Sequence, residues 1–104
     1  MRRVYQRSAA RRDLVEHYVY LAEQANLDTA ERFFARAEHT FVELAENREM
    51  GAGLTLHHPK LAGLRKWRVT DFESFLIFYV PRSDGVSIIR VLHASQDWWR
   101  ALSM

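Results

Sequence analysis

The stretch IIRVLHASQDWW, Ile88 to Trp99, carries an arginine, a histidine and an aspartate just ahead of two adjacent tryptophans. Arg90, His93 and Asp97 are residue types that hold and move protons or bind anions. The same twelve residues also read as a recognition surface, or as the last strand and helix of a small core. Strand parity separates these readings. In a strand, alternate side chains face opposite sides. Arg90 is therefore expected beside Ile88 and Leu92, with His93 beside Ile89 and Val91. Arg90 and His93 then point to opposite faces unless a bulge intervenes. Upstream, Arg65 shares a face with Trp67 and Val69, and Lys66 with Arg68. The basic groups are divided between faces rather than gathered around one anion.

Other residues weigh against metal chemistry. No cysteine is present, which removes thiolate ligands and disulfides. His57-His58 is an adjacent pair in a Gly- and Pro-containing stretch, with no carboxylate or third histidine at ligand spacing. No metal or cofactor is expected.

A chain of 104 residues has room for one domain with one core. Hydrophobic residues make up 48% and charged residues 27%, a balance that suits a folded domain and not a disordered chain. The formal charge is only +2, so attraction to nucleic acid would need clustering of cations. The basic residues are thirteen Arg against two Lys, Lys60 and Lys66, a bias that tracks genomic composition. The N-terminal MRRVYQRSAARRD lacks the apolar run of a signal peptide. The longest apolar run, Phe75 to Val80, is too short to span a bilayer. A cytoplasmic protein without a membrane span is expected.

The elements that must position these residues are legible from periodicity. VYQRS, residues 4–8, reads as an edge strand, with Ser8 as a helix cap. Leu14, Tyr18, Leu21 and Ala25, flanked by Val15 and Ala22, form the stripe of an amphipathic helix ending near Asn26. Asp28 and Glu31 fit a capping box for a second helix. Its stripe is Ala30, Phe33, Ala37, Phe41 and Leu44, with Phe34 and Ala45 beside it, and it frays over 47–51. The short join predicts an antiparallel helical hairpin.

Strands are expected at 64–69, 74–80 and 86–92, the last two joined through Pro81 to Gly85 as a hairpin. Both are apolar at nearly every position, which requires cover on both faces. The helical hairpin covers one. The tail SQDWWRALSM, capped by Ser95, covers part of the other as a short helix. Trp98 and Trp99 cannot both face inward, since helical neighbours diverge by about 100°. The expected fold is α+β: an N-terminal edge strand, a two-helix antiparallel hairpin on an antiparallel β-sheet (β-α-α-β-β-β), and a short C-terminal helix.

The second half resembles the ParE branch of the ParE/RelE toxin superfamily. The resemblance rests on Gly63-Leu64-Arg65, Ile77-Phe78-Tyr79, Asp84-Gly85, Arg90-Val91-Leu92-His93 and Asp97. The order of elements in the first half agrees, as does the restart at Asn26 and Ala30. Two departures stand out: Gln96 where the family often has Arg, and the bulky Trp98-Trp99 pair. The resemblance implies a type II toxin, 1–104 as a single domain, neutralised by a ParD-like antitoxin. ParE members poison DNA gyrase and RelE members cut mRNA on the ribosome, and fold alone does not choose between them.

A nuclease of the RelE kind would need a base, an acid and cations, roles open to Arg65, Tyr79, Arg90 and His93 with Lys66. The divided basic residues favour a non-enzymatic gyrase inhibitor; a non-toxic antitoxin-binding homologue is the third reading, motivated by Gln96. Plainer roles accompany each residue. His93 closes the following turn or bonds Asp97. Arg90 pairs with an acid such as Asp97 or Glu16, and Tyr79 is core with a bonded hydroxyl. Arg11 to Asp13, Arg32 and Arg36 are solvated helix faces. Candidate contacts for antitoxin or target are Trp67, Tyr79, Arg90, His93, Asp97, Trp98 and Trp99, bordering a groove that takes a partner helix or edge strand. No direct sequence-specific DNA binding by this chain is expected.

Overall fold

The computed structural model describes residues 2–54 and 61–102. The chain runs β1 (Arg3–Gln6), α1 (Ser8–Gln24), α2 (Leu27–Glu46), β2 (Ala52–Gly53), β3 (Arg65–Val69), β4 (Phe72–Arg82), β5 (Gly85–His93) and α3 (Trp98–Leu102). The expected α+β order is present, with the two-residue β2 added. The strands form one sheet in the order β1-β5-β4-β3-β2. It is mixed where an antiparallel sheet was expected, because β1 pairs parallel with β5. Two helices between β1 and the rest reverse the chain twice. The first strand can then return beside the last without a hairpin connection.

Both helix starts lie one residue or two away from the sequence expectation, and only that of α2 carries a side-chain cap. Ser8 is the first residue of α1 and caps nothing; the N-cap is Arg7, which makes no side-chain cap bond. At α2 the cap is Asn26, whose Oδ1 accepts the Thr29 N–H at 2.8 Å. Asp28 falls inside the first turn instead, where its negative charge suits the positive end of the helix.

The sheet has a core on each face. Ala10 and Leu14 of α1 and Phe33, Ala37, Phe41 and Leu44 of α2 pack on Phe75, Ile77, Tyr79, Val86, Ile88 and Val91. On the reverse face, Leu61, Leu64, Phe78, Ile89 and Leu92 meet Leu102, with Trp98 and Ala101 at the margin. Apolar residues at consecutive positions of β4 and β5 thus serve two clusters, as cover on both faces demands.

Gly85, where β5 begins, is required by close packing: a Cβ there would sit 1.8 Å from the Arg3 carbonyl oxygen. Any side chain would push β1 off the sheet edge.

A bulge in β5 changes the expected parity. Phe78 pairs with Arg90 and Tyr79 with Ile88, leaving Ile89 as an extra residue. Ile88 therefore joins the helical-hairpin core and Ile89 the α3 core, the reverse of simple alternation. Arg90, opposite Phe78, and His93, opposite Phe75, still belong to different faces.

Candidate functional site

The polar residues of the C-terminal half are held by a part of α1 that completes the sheet. β1 pairs with β5 only as far as Ile88, so the next stretch of β5, still paired with β4 on one side, has no strand on the other. Asp13 and His17, one helical turn apart and therefore on one face of α1, take that place. The Asp13 carboxylate accepts the Val91 N–H at 2.9 Å. His17 Nε2 donates to the Val91 carbonyl at 2.8 Å. The carbonyl only accepts, so Nε2 carries the proton and Nδ1 of the neutral ring is an acceptor. Burial pushes the His17 pKa below its ordinary value, against the Val91 bond and the nearby Asp13 and Glu16 that raise it.

Asp13 is also the partner of Arg90. The two meet as a fork, Nε to Oδ2 at 2.7 Å and Nη2 to Oδ1 at 2.9 Å, the bidentate geometry that suits a guanidinium best. This hydrogen bonding raises the Arg90 pKa. A further Arg90 N–H reaches the Ala101 carbonyl at 3.4 Å, so one arginine ties α1 to α3 across the open stretch of β5. The acid expected for Arg90 was Asp97 or Glu16; it is Asp13. The Arg11–Asp13 segment is likewise not all solvated, since Asp13 is 5% exposed.

Tyr79 and Arg65 pair across β4 and β3 and turn toward the loop after α2. The Tyr79 hydroxyl accepts the Gly51 N–H and donates to the Arg48 carbonyl, both at 2.9 Å. A Cβ on Gly51 would lie 2.7 Å from that hydroxyl, so glycine lets the loop reach it. Arg65 Nη1 donates to the Gly51 carbonyl at 2.5 Å and the Glu49 carbonyl at 3.3 Å. Tyr79 is fully buried, and burial pushes its pKa up. Both residues are engaged in holding a loop.

His93 closes the turn after β5. Its Nδ1 accepts the Ser95 N–H at 3.1 Å and lies 2.6 Å from Ser95 Oγ. Gln96 Oε1 accepts the His93 N–H at 2.6 Å. The family departure at Gln96 therefore has a local job, and Ser95 serves this turn without capping α3. Asp97 bonds neither His93 nor Arg90 among the described residues; it lies exposed beside Arg100, 3.5 Å from its Nε. Arg65–Tyr79, Arg90 and His93 thus occupy three separate places and do not converge.

The tryptophans divide as the helical period requires. Trp98 packs toward Phe78, ring centroids 5.3 Å apart, while Trp99 stacks on Trp98 at 4.2 Å and stays half exposed. Lys66 Nζ lies 5.3 Å from the Trp98 centroid, within cation–π range. On the other face Trp67 borders the helical-hairpin core, covered by the Arg68 guanidinium at 4.5 Å. His57-His58 lies outside the described residues. Among the described residues no three His, Cys, Asp or Glu side chains cluster as metal ligands.

Asp13 and His17 escaped the sequence reading. Their signal was present: both interrupt the inward stripe of Ala10, Leu14 and Leu21. A charged residue in an apolar stripe needs a buried partner. What periodicity could not supply was which strand would lack a neighbour there.

This is a small α+β domain whose polar residues mainly brace the sheet, leaving a cation- and aromatic-lined area around a minimal third helix. Its sequence matches the family described as the ParE toxin of type II toxin-antitoxin system, parDE, over residues 4–98. The chain belongs to the ParE toxin family. Its fold is shared with a solved structure described as the chromosomal ParDE TA system from P. aeruginosa, at TM-score 0.71 and 17% identity. That alignment covers 89% of this chain and 96% of the other. No curated protein matches the sequence. Among the described residues no helix is long and apolar enough to cross a membrane.

Proposed function

We propose that this toxin acts without catalysis, by binding DNA gyrase, and is held inactive by a ParD-like antitoxin. The observation that carries the non-catalytic reading is the separation of the acid–base candidates. Tyr79 spends its hydroxyl on two backbone groups. Arg90 is forked on Asp13, and His93 is opposite Phe75 on the other face. Phosphoryl transfer on RNA needs base, acid and cation around one phosphate, and the folded chain offers no such meeting point among the described residues.

The antitoxin reading draws on family membership and on the α3 face. There, among the described residues, a helix of five residues covers only part of an apolar sheet surface, with its own Trp99 half exposed. An amphipathic antitoxin segment fits that margin, with Trp98, Trp99 and Lys66 at its border. Arg90 supports the same surface from below through Ala101, and Asp97 and Arg100 lie at its rim. Tyr79 acts only through the loop it anchors.

The test is direct. Purified toxin should inhibit gyrase supercoiling, leave ribosome-bound mRNA intact, and lose inhibition on adding the cognate antitoxin. Cleaved mRNA with unaffected gyrase establishes the interferase instead. Harmless expression with retained antitoxin binding establishes the non-toxic homologue.

A further inference from the structure

A pocket of about 400 Å3 opens between α1, β4 and the turn after β5, away from the α3 face. Its walls include Glu16, His17 and Tyr20 from α1, Phe75 from β4, and His93 and Gln96 from the chain's last strand and turn. Phe75 stands between the two imidazoles, edge-on to both, with centroids 4.9 Å from His17 and 5.0 Å from His93. Of these rings only His93 was among the sequence candidates; His17, Tyr20 and Phe75 were not.

The charge of this pocket runs against that of the protein. The chain carries fifteen Lys and Arg, yet none of the described ones lines it. The one formal charge on its walls is the Glu16 carboxylate, which makes no hydrogen bond or ion pair among the described residues. Tyr20 is 58% exposed and stands at the mouth. Glu16 feels Arg90 at a distance and has Arg11 and Arg12 on its other side, yet a carboxylate with no hydrogen-bonded cation beside aromatic walls is the chemistry that selects a planar cation. A guanidinium stacks on rings and forks onto a carboxylate, which an ammonium does less well. We propose that this pocket receives an arginine side chain presented by a partner protein.

A neutral His17 is part of that selection. The acceptor nitrogen left on His17 suits a guanidinium donor, whereas a protonated ring repels it. The groups facing His17 are Asp13 and Glu16 on its own helix, His93 on β5 and the Phe33 and Phe75 rings from α2 and β4. Arg90 is nearby but neutralised by its fork on Asp13. Acidification charges His17 and should expel the occupant.

The test uses the whole chain and needs neither gyrase nor antitoxin, so it stands or falls apart from the proposed function. Acetyl-arginine amide is titrated at about pH 7.5 while the His17 and His93 ring resonances are followed by NMR. Saturable shifts of both rings are expected. Acetyl-citrulline amide, the uncharged isostere, should bind at least about tenfold more weakly, as should the arginine amide to Glu16→Gln. Acetyl-lysine amide should bind more weakly than the arginine amide, and binding should fade at about pH 5.5. Glu16 and Tyr20 are exposed, so Glu16→Gln and Tyr20→Ala should keep the ligand-free spectrum. Absent shifts, an equal response to citrulline, indifference to Glu16→Gln, or lysine binding as tightly would each overturn the proposal.

Discussion

The two faces of the sheet are covered by very different amounts of chain. One face meets α1 and α2, helices of 17 and 20 residues, and its buried cluster is the larger, with Phe33, Phe41, Ile77 and Tyr79 at its centre. The other face is covered among the described residues mainly by a single turn and a half of helix. Its border residues Trp98 and Leu76 are only partly buried. Burial of apolar area dominates stability. The hairpin face therefore carries the fold, and the α3 face is left with surface that a partner can still bury. The lesson is a division of labour: substitutions on the first face should be read in stability, and those on the second in binding.

The sharpest way to break this contrast is at the hairpin face. Phe33→Ala should destabilise the protein by about 3–5 kcal/mol, read by chemical denaturation. A loss no larger than that of an α3-face truncation would remove the distinction. Asp13→Ala comes next, at about 3–5 kcal/mol, because it strands Arg90 and leaves the Val91 N–H unpaired. Arg90→Met in the same background should recover part of that loss, since the unpaired charge goes with it. Tyr79→Phe should cost about 1–3 kcal/mol, with hydrogen exchange faster at Gly51 and little change elsewhere.

The α3 face should behave differently. Trp99→Ala should stay within about 0.5 kcal/mol of the parent, yet weaken antitoxin binding in a titration. If it unfolds the protein instead, that face is structural after all. The smallest expected effect is on pH. Folding lowers the His17 pKa from its ordinary 6.5, so the unfolded chain takes up that proton first. Stability present at neutral pH should therefore decline as pH falls below about 6.5 toward the folded value. A His17→Gln variant should flatten the decline.

Much of this was legible in residue order alone. Periodicity placed both long helices, turn chemistry the β4–β5 hairpin, and the need for cover the C-terminal helix. The apolar runs of β4 and β5 demanded cover on both faces, and the helical period separated Trp98 from Trp99. Motifs in 63–97 pointed to the family. All of these are local or near-local patterns, in which neighbours in sequence set the spacing.

What tertiary structure alone decided concerns residues far apart in the chain. The parallel partnership of β1 with β5 depends on how two helices return the chain. One extra residue at Ile89 exchanged the faces of Ile88 and Ile89 while keeping Arg90 and His93 apart. The partner of Arg90 is 77 positions away, chosen because β5 outruns β1 and an edge N–H must be satisfied. A sequence records which side chains can hydrogen-bond; only the fold decides which backbone groups are left needing them.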